Sequence, residues 1–285
     1  MTLSWHDGYP DRTVLKNEIN YMIEAFVEIL LEEIPKSEIE GIYFKGSAQK
    51  DWESPLDYVP ELSDIDIHLL FSDDSLIEKN LGSTSKAIYI QSKVETRYFA
   101  RTPKPLHIPR PQLVVLNLLL RDENYIPSPQ NVVSVLYGKN YPKPDYSNPE
   151  KIRLSDCNRL INEEEFLLRF PLHIIDKPSR YLWDSLRGLV WRVSPTGPRV
   201  LHILGLPTER AWGINRTKIF SLLKEMGEDQ LAQDYAEFYL FGWQYFLSNY
   251  SDGNAGRSAI MSGINALGRG MEIGKSWFSK HSSSQ

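Results

Sequence analysis

Two aspartates, Asp64 and Asp66, stand one residue apart in an otherwise apolar run that ends at Phe71. Successive side chains of a β-strand point to opposite faces, so in a strand both carboxylates share one face with His68, while Ile65 and Ile67 face the core. The two positions are then about 6.5 Å apart, from a rise of roughly 3.3 Å per residue. Carboxylates in this array are suited to bind a hard divalent cation, Mg²⁺ first and Mn²⁺ as a related ion.

A second group with possible chemistry, Gly46-Ser47, lies at the end of the preceding apolar run, Gly41 to Lys45. We predict a strand over that run and a short helix starting at Gly46-Ser47. Glycine allows a phosphate to approach the backbone closely, and helix N-terminal N–H groups together with the Ser47 hydroxyl would donate hydrogen bonds to it. Lys50 is a further candidate for phosphate binding, although a lysine in a surface loop is also ordinary. A lone histidine is more often structural than a metal ligand, and we interpret His68 as structural.

The spacing of apolar residues predicts the helices and strands that must position these side chains. Apolar residues at helical spacing from Leu15 to Leu30 predict an amphipathic helix that ends at Pro35. A second helix is predicted from about Ser83 to Arg101, and the apolar run Leu113 to Leu120 is predicted to be the next strand. The sequence between Ser47 and Asp64 is rich in proline and acid, which indicates a loop.

The second half of the chain has helical patterns alone. One helix is predicted over 182–193 and stopped by Pro195-Thr-Gly-Pro198, a second is capped by Asn215 and ended by Gly227, and further ones follow to about Ile273. Residues 281–285 are expected to be disordered. Between the halves, residues 127–150 carry five prolines and are predicted to be a linker. The predicted organisation is an α/β domain over residues 1–126 with a short mixed sheet, and an all-α domain over residues 151–285.

Taken together, a strand ending in Gly46-Ser47, a spacer, and the strand Ser63-Asp64-Ile65-Asp66-Ile67 resembles the motif of the polymerase-beta-like nucleotidyltransferase superfamily. The resemblance covers roughly residues 12–125, and the two-domain outline is similar to antibiotic-modifying adenylyltransferases. It implies transfer of a nucleoside monophosphate from a nucleoside triphosphate, with Mg²⁺ held by Asp64 and Asp66 and release of pyrophosphate. The spacer of 64 − 47 = 17 positions is longer than is usual in the family.

The third carboxylate of the family motif has no evident counterpart in this sequence. The family places an acid on the next strand, where this chain offers two amides, Gln112 or, if the strand enters the sheet later, Asn117. An amide can ligate a metal through its oxygen but does not act as a general base at neutral pH. Either the base comes from elsewhere, with Glu95, Asp184 and the acidic run 163–165 as possible sources, or catalysis is weak or absent.

Composition limits the partners. Counts of 32 basic and 37 acidic residues give a net charge of −5, which disfavours a long nucleic acid. The single cysteine, Cys157, excludes an intrachain disulfide and fits a reducing cytoplasm. Neither a signal peptide nor a membrane span is expected.

Three functional hypotheses remain open on the sequence. The first is transfer to the hydroxyl of a small molecule, and the second is transfer of AMP to a protein partner. The third is a regulatory protein that binds nucleotide without turning it over. The helix around Arg180, Arg187 and Arg192 could cover the nucleotide, and it could equally be an ordinary interface helix.

Overall fold

The computed structural model of the protein describes residues 3–282, which divide into two compact units of different secondary structure. His6–Lys50 and Ser63–Pro144 form the first, here called the α/β unit. Within the described residues, 3–5, 51–62 and 145–282 form the second, the helical unit. The predicted fold class, an α/β region with a short mixed sheet followed by a helical region, is confirmed.

The strands of the α/β unit are β1 (Ile39–Lys45), β2 (Asp64–Phe71), β3 (Arg110–Val115) and β4 (Val133–Gly138). Within the described residues they form one sheet in the order β3-β2-β1-β4. β1 runs antiparallel to β2 and to β4, whereas β2 and β3 are parallel. The predicted strands at β1 and β2 are confirmed, and they occupy the centre of the sheet. A buried cluster of Tyr43, Leu116 and Tyr141 packs in this unit.

Two segments of the α/β unit differ from the prediction. The run Leu113–Leu120 is not one strand, because β3 ends at Val115 and a short helix, α4 (Leu116–Leu120), follows. Asn117 in that helix accepts a hydrogen bond from the Phe71 N–H and donates one to the Phe71 carbonyl, so its side chain closes the end of β2. Residues 127–150, predicted to be a linker, contain β4, whose flanking prolines bound the strand without interrupting it.

The remaining helices of this unit are α1 (Arg12–Glu33), α2 (Ser75–Leu81) and α3 (Thr84–Arg101). α1 begins at an Asp11 cap that accepts from the Thr13 N–H, and it ends before Pro35 as predicted. Ser83 caps α3 in the same manner. The predicted short helix after Gly46-Ser47 is wrong: the chain forms a turn there, with the Gln49 N–H donating to the Gly46 carbonyl.

The helices of the helical unit are α5 (Pro149–Ile161), α6 (Glu163–Ile174), α7 (Leu182–Ile203), α8 (Thr208–Gly213), α9 (Arg216–Glu225), α10 (Asp229–Leu247) and α11 (Gly253–Ser282). The Asn215 cap of α9 is confirmed, and Gly227 follows its end with a positive φ of 85°. α11 includes residues 281 and 282 of the segment expected to be disordered, and residues 283–285 lie outside the described residues. No helix within residues 3–282 is long and apolar enough to cross a membrane.

The predicted stop of α7 at Pro195-Thr-Gly-Pro198 is also wrong, because the helix continues through both prolines to Ile203. Pro198 lacks the N–H that would bond to the Ser194 carbonyl. The hydroxyl of Tyr235 donates to that carbonyl at 3.3 Å instead. Thr196 and Gly197 are buried, so packing within the helical unit holds the segment in helical form.

The segment Asp51–Leu62 joins β1 to β2 in sequence but belongs to the helical unit. Asp57, 1% exposed, accepts hydrogen bonds from the N–H groups of Glu53, Ser54 and Thr217 and from the Thr217 hydroxyl, at 2.7–3.0 Å. The buried indole of Trp243 donates to the Pro55 carbonyl at 2.8 Å. The segment is therefore a fixed part of the helical unit and not a flexible loop.

Candidate metal and phosphate site

The registers of β1, β2 and β3 place three polar side chains in a row across the sheet. Lys45 on β1 pairs with Asp66 on β2, and Asp66 pairs with Gln112 on β3. One position earlier on the same face, Asp64 pairs with Arg110. Residues in register across neighbouring strands point to the same face, so these side chains share one surface.

Asp66 lies directly over the main chain of Gly46. A Cβ atom added to Gly46 would be 1.9 Å from Asp66 Oδ2 and 2.9 Å from its Cγ. The backbone of Gly46 also has a φ of 88°, in the left-handed region that side chains rarely adopt. Position 46 therefore requires glycine for two independent reasons, and the structure brings together the Gly-Ser and Asp-x-Asp parts of the motif.

Asp64 forms a bidentate ion pair with Arg110. Arg110 Nε donates to Asp64 Oδ1 at 3.0 Å, and Nη2 lies 2.7 Å from Oδ2. The side chain of Asp64 is 6% exposed and that of Arg110 is 42% exposed. The carboxylate is thus buried, and so is the paired Arg110 Nη2, although other parts of the Arg110 side chain are exposed.

Gln112 joins the two carboxylates through one end of its amide. With the NH₂ group directed at the aspartates, it donates to Asp64 Oδ2 at 3.1 Å and to Asp66 Oδ1 at 3.2 Å. With the amide turned by half a rotation, the oxygen takes the same position between the two carboxylates. The second orientation is unfavourable unless a cation lies among the three oxygens, because all three are acceptors.

The two distances from Gln112, 3.1 Å to Asp64 and 3.2 Å to Asp66, can be compared with those among the ligands of an octahedral divalent cation. Ligands at 2.0–2.1 Å from Mg²⁺ lie about 3 Å from their nearest neighbours in an octahedron, close to the separations at Gln112. Within residues 3–282, no cluster of three or more His, Cys, Asp or Glu side chains is placed to hold a metal. A cation at this site would therefore have two carboxylates and an amide oxygen as its ligands from the chain.

Asn117, the other candidate for the third strand, is placed elsewhere. It lies on α4, where its Nδ2 also donates to Asp74 Oδ1 at 2.9 Å. Its hydrogen bonds to Phe71 and Asp74 give it a structural role at the far end of β2. The structure thus distinguishes the two amides that the sequence left open, since only Gln112 is in register with Asp66.

Ser47 and Lys50 lie in the turn after Gly46, and both are partly buried. Because no helix starts here, the phosphate-binding contribution expected from a helix N-terminus is absent from this turn. The positive φ of Gly46 and the Ser47 hydroxyl remain as features that can serve a phosphate. The ammonium of Lys45 contacts the Ser128 hydroxyl at 3.1 Å.

His68 is buried and forms part of the structural core of the α/β unit. Its Nδ1 is 3.2 Å from the Tyr141 hydroxyl, which is 2.9 Å from that of Tyr125. Burial, reinforced by the charge of Lys45, lowers the pKa of His68 to about 3. The imidazole is therefore neutral at physiological pH, in keeping with its interpretation as structural.

The acids considered as an alternative general base all lie outside this row. Glu95 is exposed on α3, where it accepts from Gln91 Nε2. In the helical unit, Glu163 pairs with Arg192, Glu164 with Lys275 and Glu165 with Arg169, and Asp184 is exposed.

The arginines of α7 are engaged within the helical unit. Arg187 donates to the carbonyls of Glu61 and Leu62, and Arg192 pairs with Glu163. These contacts favour the interpretation of α7 as an ordinary packed helix. They give no support to Arg187 or Arg192 as a nucleotide cover.

Arg110 is the site residue that the sequence analysis missed. Its signal was present, because Arg110 and Gln112 have the same spacing as Asp64 and Asp66. A parallel pairing of the two strands at equal register brings the four side chains together. The parallel register that places Arg110 beside Asp64 is set by tertiary pairing, which the sequence alone does not give.

The protein was also compared with protein-family models, curated proteins and solved structures. None of the three comparisons found a match for this chain.

Proposed function

We propose that this protein is a divalent-cation-dependent nucleotidyltransferase of the polymerase-beta-like superfamily. It would transfer a nucleoside monophosphate, AMP in the first instance, from a nucleoside triphosphate to the hydroxyl of a small molecule. The observation that carries the proposal is the packing of Asp66 against Gly46, because it joins the phosphate-binding and cation-binding halves of the motif. A cytoplasmic location is part of the proposal, and the buried free thiol of Cys157 supports it.

In this proposal Asp64, Asp66 and the Gln112 oxygen hold Mg²⁺ or Mn²⁺. When bound, the cation would neutralise triphosphate charge and polarise the phosphoryl group that is attacked. Gly46 allows the triphosphate to approach the main chain, and Ser47 and Lys50 donate hydrogen bonds to it. None of these groups removes the proton of the acceptor hydroxyl, so that proton passes to the solvent or to a group of the acceptor.

A second function is favoured by one specific observation. The position next to Asp66 on β3 holds the amide of Gln112, which cannot accept a proton as a general base. A protein with this row could bind a nucleoside triphosphate with its cation and release it unchanged. Such a protein would serve as a nucleotide-dependent regulator.

The test combines binding with turnover. The purified protein is incubated with Mg²⁺ or Mn²⁺, each labelled triphosphate and a panel of small hydroxylated acceptors, and pyrophosphate release and product mass are measured. We expect pyrophosphate release with one triphosphate and one acceptor class, and loss of at least 100-fold in Asp64→Asn and Asp66→Asn. Asp122→Asn is the matched control, because Asp122 is exposed and its carboxylate accepts from the nearby Asn124 N–H.

The outcomes separate the hypotheses. Triphosphate binding that needs Asp64 and Asp66, without pyrophosphate under any condition, would favour the regulator. Added nucleotide mass on a co-purified protein would point to a protein acceptor. Binding and turnover that are unchanged in both aspartate variants would refute the site.

A further inference from the structure

We propose that helix α6 is a dimerisation surface, on which two copies of this chain pair in antiparallel orientation about a two-fold axis. This inference does not depend on the proposed function. It starts from three apolar side chains of α6 and its end that face solvent, Leu168, Leu172 and Ile175, here called the α6 stripe. They are 76%, 79% and 84% exposed, more than any other large apolar side chain within residues 3–282.

The α6 stripe lies along one side of the helix. With 3.6 residues per turn, its three side chains project within about 60° of one another. Ile175 directly follows the last helical residue, Ile174, and keeps the right-handed helical backbone conformation, so its side chain continues the series. Successive spacings of four and three residues are those of the contact positions in a pair of packed helices.

The opposite side of α6 is already packed within the helical unit. Phe170 is buried there, and the Arg192 guanidinium lies 4.0 Å from the centre of the Phe166 ring. Glu163 on the same side pairs with Arg192. A surface helix normally presents polar residues opposite its packed side. α6 is instead apolar on both sides, so the α6 stripe is an apolar surface that the described part of the chain leaves uncovered.

Two charged residues beside the α6 stripe select a second copy as the partner. Arg169 and Asp176 lie on the same flank of the stripe, because seven residues are close to two full turns. Their side chains are 77% and 73% exposed. Arg169 comes three residues before Leu172 and Asp176 four residues after it. In an antiparallel pair with Leu172 near the two-fold axis, Arg169 of each copy therefore faces Asp176 of the other copy.

The present contacts of these two charges are compatible with such pairing. Arg169 Nη2 lies 2.7 Å from Glu165 on the same helix, and the Lys177 ammonium lies 2.9 Å from Asp176. Exposed ion pairs of this kind contribute little to stability. In the dimer, Glu165 and Lys177 remain beside the new pairs, so that each flank carries an alternating row of charges.

The charges of α6 also argue against a lipid surface as the partner. Helices that lie on membranes are rich in Lys and Arg on their polar side. α6 has three glutamates in its first turn, residues 163–165, and Arg169 is its one arginine. A second copy of the chain, whose charges are complementary by symmetry, is the occupant that fits the α6 stripe.

The size of the surface sets the expected strength of the dimer. α6 has 12 residues and presents three large apolar side chains. Such a contact is smaller than the roughly 1,200–2,000 Å² of a stable interface, so we expect a reversible dimer with a micromolar dissociation constant.

The first experiment measures the mass of the full chain by sedimentation equilibrium, at protein concentrations up to about 500 μM, well above the expected dissociation constant. We expect a monomer–dimer equilibrium. Leu172→Glu places two carboxylates near the axis in place of two apolar side chains, and it should raise the dissociation constant at least about 100-fold. The matched control is Met261→Glu, which replaces an apolar side chain of α11 that is 57% exposed and should leave the dissociation constant unchanged.

The second experiment tests the antiparallel orientation by charge reversal. Arg169→Glu and Asp176→Lys each place like charges opposite one another in their own homodimers, and each should dimerise about 10-fold more weakly. An equal mixture of the two variants has opposite charges at both contacts and should form a heterodimer about as tightly as the unmodified protein dimerises. A fluorescent label on one variant reports the heterodimer by sedimentation velocity. All the substituted side chains are exposed, and thermal unfolding verifies the fold of each protein.

A chain that stays monomeric over the whole concentration range would overturn the proposal. A dimer that Leu172→Glu leaves intact would show that the α6 stripe is not its interface. Homodimers of the charge variants that are as tight as the heterodimer in the mixture would overturn the antiparallel orientation.

Discussion

Asp57 and Asp64 are both buried aspartates, seven positions apart in the sequence, yet their surroundings differ in kind. Asp57 accepts hydrogen bonds from main-chain N–H groups and a threonine hydroxyl, all fixed by the fold of the helical unit. Asp64 is compensated by two side chains of the neighbouring strand β3, the Arg110 guanidinium and the Gln112 NH₂ group. The comparison teaches that burial of a carboxylate does not identify a functional site. Whether its partners are main-chain groups or side chains on a neighbouring strand is the more informative property.

The largest expected effect is on stability, where replacing Asp57 should lower the free energy of unfolding more than replacing Asp64. Asp57→Ala leaves buried main-chain donors without an acceptor, and we expect it to lower the free energy of unfolding by about 4 kcal/mol. Asp64→Asn keeps the shape of the side chain and loses the charge that pairs with Arg110, so its cost should be smaller, about 1.5–3 kcal/mol. Urea unfolding of both variants, followed by circular dichroism, measures the two effects. Similar losses in the two proteins would contradict the distinction between main-chain and side-chain partners.

The pH dependence of stability tests a third buried polar group, His68, whose partner is a neutral hydroxyl. Its folded pKa of about 3 lies below the usual value of 6.5, so the unfolded chain binds the proton more readily, and stability falls as pH decreases through that window. Between pH 7 and pH 4 the loss should be about 3 kcal/mol. His68→Gln, which retains a hydrogen-bonding group for Tyr141, should show a shallower decrease over the same range. Parallel pH profiles of unfolding free energy for the two proteins would show that His68 carries no such penalty.

A smaller effect concerns the backbone beneath Asp66. Gly46→Ala must adopt a strained positive φ and displace the Asp66 carboxylate, so we expect a loss of about 2 kcal/mol in stability and loss of Mn²⁺ binding. The matched control is Gly188→Ala within α7, where an added Cβ meets nothing within 4 Å. That change should raise stability by about 0.5–1 kcal/mol through helix propensity. Tolerance of Gly46→Ala with Mn²⁺ binding intact would remove the central support for the site.

Local periodicity was sufficient to predict the central part of this site. The alternation of Asp64 and Asp66 with isoleucines predicted β2 and the shared face of the two carboxylates, because side-chain direction in a strand depends only on sequence parity. The identity of the third partner depended on the register between β2 and β3. That register is fixed by tertiary pairing, and the short apolar run Leu113–Leu120 is compatible with either strand or helix.

The errors in the rest of the chain have a common physical origin. Proline lacks the backbone N–H that other residues donate. Its effect depends on whether another group donates to the carbonyl that is left, or whether no such hydrogen bond is needed. In α7 the Tyr235 hydroxyl donates to that carbonyl, and around β4 the prolines fall outside the hydrogen-bonded ladder. After Gly46, by contrast, the chain forms a turn in which the Gln49 N–H donates to the Gly46 carbonyl, in place of the predicted helix. The outcomes at these prolines depend on contacts between residues distant in sequence, which local sequence patterns do not reveal.

The membership of Asp51–Leu62 in the helical unit has a consequence for the synthesis of the protein. Asp57 precedes its partner Thr217 by 160 positions, and Pro55 precedes Trp243 by 188. At translation rates of about 5–20 residues per second, this segment waits roughly 8 to 40 seconds outside the ribosome before its partners are made. During that interval the segment lacks the partners that Asp57 and Pro55 bind in the folded protein, so we expect Asp51–Leu62 to become ordered late in the synthesis of each molecule.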